Sequence, residues 1–498
     1  MSKLIRKGRL RPAKREAVLF TSSSRDDKRI LKQIVDVNKA HVLMLVERKI
    51  ISKFDGAGIL KSLEGLEDRI ELRPEHEDAH VAIEEEVIKA VGEDAGGNIN
   101  LAKSRNDQVA TAIRMKLREE MLEIAEAIIN LQETLLKKAE ETLGTIIPGY
   151  THLQPAQPIT FSHYLLAQFD AFERSFSRLC EAYKRVNFCP MGAGALATTS
   201  FPIDRERVAE LLGFSGVLEN SLDAVSSRDF LLETLGVFSI MAVDAARIAE
   251  DLIVWSSIEF GMVELPDEYA FTSSIMPQKK NPDVLEVLRA RMSNIIGTFV
   301  ASATMLKALP TGYNLDFQEA TPHLWNASET MQRCLGILSN VILNINVRST
   351  ALFKDELSFL AATEVANMLV QKYNVPFRTA HRIVGMAVKN LLEKDRSFID
   401  ITPEILTEAT KAATGSPITV NKEDLEHALD LSRCVEAQAV RGGPSRRENE
   451  RMIRERWRLL DDSRKWLCER RSRLDEAERL LDEEVRKLLK DSPEKRNV

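Results

Sequence analysis

The sequence predicts an all-α protein, with a central bundle of long helices flanked by smaller, mostly helical domains. Three observations carry that reading. First, the stretch from Arg105 to Leu143 holds neither proline nor glycine, and Val109, Ile113, Leu117, Ile124, Ile128, Leu131 and Leu135 recur at three, four or seven residues, the period of one helix face. Second, Phe161, Leu165, Phe169, Phe172, Phe176 and Leu179 form another such stripe, which reads as core rather than as a cofactor surface. Third, the segments between the long helical runs are polar loops marked by proline and glycine. A long helix extends beyond the width of one globular core, so its stripe needs partners along its whole length, within the chain and between chains.

Size and charge narrow the function. The 498 residues, 44% hydrophobic, suffice for one elongated body or two to three domains. With 69 basic against 75 acidic residues the net charge is -6, so long-range attraction to nucleic acid or to an anionic membrane is not indicated. The five cysteines (Cys180, Cys189, Cys334, Cys434 and Cys468) are scattered without ligand spacing, as expected in a reducing cytoplasm. A basic N-terminus (Lys3, Arg6, Lys7, Arg9, Arg11) has no apolar stretch after it, and no apolar run reaches membrane-spanning length, so a cytoplasmic protein is expected.

In chain order, residues 1–103 are expected to form an N-terminal, mostly helical domain. Phe20-Thr21-Ser22-Ser23-Ser24 reads as a polar turn that caps a helix or binds an anion. His41 sits on an apolar helix face and reads as structural. Glu77-Asp78-Ala79-His80 leads into another helix, and Gly96-Gly97 marks a loop. Residues 104–350 are expected to be the central bundle. Gly149 opens a second loop, and Thr160 caps the next helix, which runs to Val186. Cys189 to Ala195 is glycine-rich without nucleotide-fingerprint spacing and reads as a close-packed loop. Asn220 to Asp229 begins another long helix, residues 284–309 a further one, and a last one starts near Pro322. Residues 351–445 read as a C-terminal helical domain. Residues 446–498, dense in charge but carrying Leu459, Leu460, Trp466, Leu467 and Leu481, read as a helical hairpin or a coiled-coil arm.

The stretch from Thr272 to Asp283 does not fit a helix interior. Pro277 and Pro282 each remove a donor and restrict the preceding residue. It reads as a structured loop that presents Ser273 or Ser274, Lys279 or Lys280, and Asn281 to one point. A hydroxyl beside an ammonium makes a proton-abstracting pair, because the cation favours the alkoxide. The alternative is a surface turn with ordinary lysines, and the residues alone leave both open.

This run resembles the Ser-Ser-x-Met-Pro-x-Lys-x-Asn-Pro loop of the fumarase/aspartase superfamily, and its Gln278-Lys279-Lys280-Asn281-Pro282-Asp283 form resembles the argininosuccinate lyases. Ser104-Arg105-Asn106-Asp107-Gln108-Val109-Ala110-Thr111 and Tyr150-Thr151-His152-Leu153-Gln154-Pro155 resemble that family's first and second blocks. Tyr313-Asn314-Leu315-Asp316-Phe317-Gln318-Glu319 resembles a further element. The resemblance implies a fumarase/aspartase-like homotetramer around a many-helix bundle, each site drawing on three subunits. It also implies elimination of argininosuccinate to L-arginine and fumarate, with no metal or cofactor. By the same resemblance Ser273 is the base, and Lys279 and Asn281 contact the substrate carboxylate. His152, paired with Glu286, is tied to acid catalysis, and Arg105, Asn106, Thr151, Tyr313 and Gln318 bind substrate.

Four positions depart from the family pattern. Asn100 and Leu101 replace a histidine and a threonine, Thr272 a loop glycine, and Thr321 a lysine common in relatives. Two alternatives stay open: another fumarate-releasing lyase, acting on adenylosuccinate, aspartate or malate, and a catalytically weakened structural homologue.

Overall fold

A computed structural model describes residues 11, 13–348 and 355–491; the basic residues Lys3 to Arg9 and the expected boundary at 350 lie outside them. The N-terminal region holds α1 (Arg15–Thr21), α2 (Leu31–Glu47), α3 (Lys53–Leu63) and α4 (Ala79–Val91). Gly96 and Gly97 sit in two short helical turns rather than an open loop, and a Cβ at Gly96 would lie 2.8 Å from the Ile88 Cα. Close approach of two backbones explains the glycine there better than turn chemistry does.

The central bundle is built from α5 (Arg105–Glu141), the hairpin β1 (Ile146–Thr151) and β2 (Gln154–Thr160), α6 (Phe161–Val186), α7 (Arg205–Leu211), α8 (Ser221–Ser226), α9 (Asp229–Ser256), α10 (Asp283–Leu306) and α11 (Asp316–Asn344). α5 packs on α6 and α11, and α9 packs on α6, α10 and α11. The stripes expected from periodicity are the buried faces: Ile113, Leu117, Ile124, Ile128, Leu131 and Leu135 on α5, and Phe161, Leu165, Phe169, Phe172 and Phe176 on α6. Thr160 caps α6 by accepting the His163 N–H at 3.0 Å.

The structure corrects the expected reading at four further places. The segment around Gly149 to Pro158 is an antiparallel hairpin with a bulge at Gly149/Tyr150, not a loop. Its prolines are tolerated because a two-stranded ribbon has only edge strands. The long helix expected from Asn220 starts only at Asp229. Arg228 folds back to donate to Ser227 O at 2.7 Å and to Val225 O at 3.4 Å, closing α8 as a separate element. The last bundle helix starts at Asp316, so Pro322 lies inside it. Burial of Phe317, Ala320 and Thr321 holds the turn that proline would otherwise open. The charged C-terminal stretch is neither a hairpin nor a free arm.

That last segment is one helix, Arg446–Lys490, lying along α5. Leu460, Leu467, Leu481 and Val485 join the main core, and the Trp466 ring meets Phe176 and Tyr183 edge-on. Arg456–Asp170, Arg464–Glu133 and Arg471–Glu126 pairs flank the seam. The stretch is charge-rich because a narrow apolar seam is all this helix buries. A second, separate core, with Val365, Leu369, Ile383, Leu391, Phe398 and Leu406, joins the helices of residues 361–434. Among the described residues no helix is long and apolar enough to cross a membrane.

Candidate active site

The first group of candidate residues is organised by the start of α5. Ser104 caps it: Asn106 N–H donates to Ser104 Oγ, and Ser104 N–H donates to Asp107 Oδ1 at 3.0 Å. Asp107 also accepts, through Oδ2, the Gly192 and Gly194 N–H groups at 3.1 and 2.8 Å. It is fully buried, and burial pushes its carboxyl up to about 6 against those hydrogen bonds. Gly194 has φ +62, and a Cβ there would lie 2.7 Å from Thr198 O, so the glycine-rich loop wraps Asp107 as a backbone cradle. Asn106 Nδ2 donates to Ala195 O at 3.0 Å. One carboxylate and one amide of this block therefore hold the loop.

Arg105 is gripped by two protein acids, Nη1 at 3.0 Å from Glu77 and Nε at 2.8 Å from Asp78. The guanidinium that the sequence offers to a substrate carboxylate is already partnered within the chain. Asp78, 2% exposed, also caps α4 through Val81 N–H. Burial raises its carboxyl, and the Arg105 charge opposes the rise. Asp27 accepts the Ser23 hydroxyl and the Ala79 N–H at 2.9 and 3.0 Å, and burial pushes it up to about 7. Ser22 and Ser24 bond to each other, so Ser23 is the serine of that turn tied to the acidic group. A small cavity of about 30 Å³ is lined by Ser23, Asp27, Asp78, His80, Gln318 and Thr321, among others. Thr321 donates to Phe317 O at 2.7 Å. Tyr313 meets the Phe317 ring edge-on, with centroids 5.5 Å apart. This group thus gathers Arg105, Tyr313 and Gln318 of the candidate residues. His41 lies behind it, its Nε2 donating to Leu101 O at 2.8 Å; burial and the Lys103 charge push the imidazole down to about 3, in keeping with a structural role.

The second group is the tip of the β1–β2 hairpin. Thr151 pairs with Gln154, and His152 and Leu153 form the turn with φ of +55 and +56. Left-handed backbone at both turn positions matches the twist of a hairpin, but it costs energy in residues with a Cβ, and such strain persists where the surrounding structure fixes it. Thr151 and His152 are exposed, and Leu153 is 69% exposed.

The third group is the Ser273 loop. Its ends pair as strands Phe271–Thr272 and Lys280–Asn281. Ser273 N–H donates to Lys279 O at 3.4 Å, and Ser273 Oγ accepts from Met276 N–H at 3.2 Å. Lys280 is paired with Asp267 at 2.5 Å and with Glu264 at 3.7 Å. Lys279 makes no ion pair among the described residues, which separates the two lysines that residue type alone leaves equivalent. Ile275 is 83% exposed, and Glu286 stands exposed in the first turn of α10.

Among the described residues no hydrogen bond or ion pair links one group to another, and none joins His152 to Glu286. The sequence reading missed Asp107 as the anchor of the glycine loop and Lys280 as a structural partner. The capping pattern Ser-x-x-Asp before an apolar run was the available signal for Asp107.

Comparison with known proteins identifies the family. Residues 12–297 match the family described as Lyase, and residues 359–436 the one described as argininosuccinate lyase C-terminal. The chain is 41% identical over 488 residues to the argininosuccinate lyase of Methanocaldococcus jannaschii, covering 96% of this chain and 99% of that protein. It is 41% identical over 498 residues to that of Methanosarcina mazei, covering 98% and 100%. Among solved structures, an EDDS lyase in complex with formate superposes with a TM-score of 0.87 at 29% identity, covering 93% of this chain and 92% of that one. The class II fumarase of Schistosoma mansoni shares the fold, with a TM-score of 0.67 at 16% identity, covering 81% and 90%. With its long-helix bundle and three polar turns, the chain belongs to the argininosuccinate lyase family of the fumarase/aspartase superfamily.

Proposed function

We propose that the protein is a carbon–nitrogen lyase that splits argininosuccinate into L-arginine and fumarate, the last step of arginine biosynthesis. Ser273 removes the proton from the carbon beside a carboxylate, and the charge that builds on that carboxylate is met by Lys279 and by the Asn281 amide. The C–N bond breaks, its electron pair leaves with the guanidinium nitrogen, and His152 returns a proton there. Glu286, from a different chain, holds the imidazole. Arg105, Asn106, Thr151, Tyr313 and Gln318 surround the substrate. The site is shared by three subunits of a homotetramer, so a lone chain is inactive.

The observation that carries the reading is likeness at 41% identity through 96% of the chain, which spans all three polar turns, to a protein named argininosuccinate lyase. Two features support it. Lys280 is held by Asp267 and Glu264, leaving Lys279 as the loop lysine without an ion pair among the described residues. Ile240 and Val243 on α9, Val287 and Val300 on α10 and Leu343 on α11 are exposed in the single chain, an apolar face suited to bundling with copies. The purified protein, given argininosuccinate without added metal or nucleotide, is expected to raise ultraviolet absorbance as fumarate forms. No rise, with turnover of adenylosuccinate or aspartate instead, would overturn the assignment.

A further inference from the structure

Among the described residues three arginines are buried: Arg114, Arg118 and Arg228. Arg118 gives Nη1 to Asn187 Oδ1 and Gly213 O and Nη2 to Leu212 O. Arg114 gives Nη1 to Arg185 O and Val186 O at the end of α6, with Asp229 and Asp223 acting on its charge. These two serve helix ends. Arg228 differs. It is 4% exposed, and Nη1 is used by Ser227 O and Val225 O, but both Nε and Nη2 lack a partner among the described residues. Nε and Nη2 form one edge of the planar fork, the edge that takes a carboxylate side-on.

The surroundings offer that edge no acid. Burial pushes the Arg228 guanidinium down to about 10, and the groups acting on it besides are the Tyr313 phenol and the Arg114 guanidinium. Its Cζ lies 4.2 Å from the Phe317 ring centroid, which fixes the plane of the fork. The Tyr313 hydroxyl, on a ring set edge-on to the same Phe317, is also buried without a partner. A guanidinium edge and a phenolic O–H therefore stand beside one phenylalanine with no acceptor for either. Among the described residues Arg114 and Arg118 leave only a buried Nε without a partner, whereas Arg228 leaves a whole donor edge unsatisfied, a cost that a docked carboxylate would remove. Arg105 is occupied by Glu77 and Asp78, and Thr321 brings no charge.

We propose that Arg228 binds one carboxylate of the substrate through Nε and Nη2, with the Tyr313 hydroxyl on the same carboxylate. The proposal rests on the lyase reading above. It is tested on the assembled enzyme with Arg228→Lys, Tyr313→Phe and the double variant. Lysine keeps the charge but not the fork. In Arg228→Lys, KM for argininosuccinate rises about tenfold or more while kcat changes by less than about threefold. Tyr313→Phe raises KM in the same direction. The double variant rises little beyond the larger single effect, because both groups hold one carboxylate. Calorimetric titration with succinate and with arginine shows at least one of them weakened about tenfold in Arg228→Lys.

Unchanged KM in Arg228→Lys, or single effects that multiply fully in the double variant, would overturn the proposal. So would a lost assembly in Arg228→Lys beside an unchanged KM in Tyr313→Phe, which would mark Arg228 as structural. An unaltered enzyme that fails to cleave argininosuccinate counts against the lyase reading. One that cleaves it, beside an Arg228→Lys with normal constants, counts against Arg228 alone.

Discussion

Ser273→Ala is expected to abolish turnover while leaving assembly and fold intact. The base acts only as the proton leaves carbon, so its loss lowers kcat and kcat/KM together, by about 10⁴-fold, with KM nearly unchanged. The fold is spared because the loop is exposed, and the hydroxyl's contacts are with the Ile275 and Met276 N–H groups, which water replaces at a cost of roughly 1 kcal/mol or less. Steady-state kinetics beside sedimentation and thermal unfolding reads both halves. Near-normal turnover in Ser273→Ala would mean that another group is the base. Unfolding instead would mean that the loop is structural.

His152→Asn is expected to cost between about 10² and 10⁴ in kcat, the range for a missing proton-transfer group. Asparagine is the informative replacement because His152 has φ +55, a conformation that asparagine adopts more readily than other residues with a Cβ. The turn is therefore kept while the titrating group is removed. Alanine would confound lost chemistry with added backbone strain. A kcat within about threefold of the unaltered enzyme would remove His152 from the proton path.

The helices were legible because each buries a face along its whole length. The spacing from Val109 to Leu135 and the phenylalanine stripe from Phe161 each mark one. Legibility failed where tertiary contacts override local pattern. Pro322 is carried inside a helix by burial of its neighbours, and Arg228 ends α8 with its own side chain. The hairpin at Tyr150–Pro158 was hidden by prolines that only an unpaired edge tolerates. In the site, the polar blocks were visible as residue types out of place between helices. Which lysine of Lys279-Lys280 is held was not visible, because Asp267 and Glu264 lie well before them in sequence. Nor was the occupation of Arg105 by Glu77 and Asp78, which depends on how α4 meets α5.

In the proposed tetramer, three polar turns from different chains close around one small dicarboxylate. Hybrid tetramers test it most directly. Ser273→Ala and His152→Asn proteins, each inactive alone, are dissociated, mixed in equal amounts and reassembled. If Ser273 and His152 of one site come from different subunits, roughly a quarter of the sites in random hybrids regain both residues, and activity returns toward that fraction. Hybrids confirmed by mass spectrometry that stay as inactive as their parents would contradict the account.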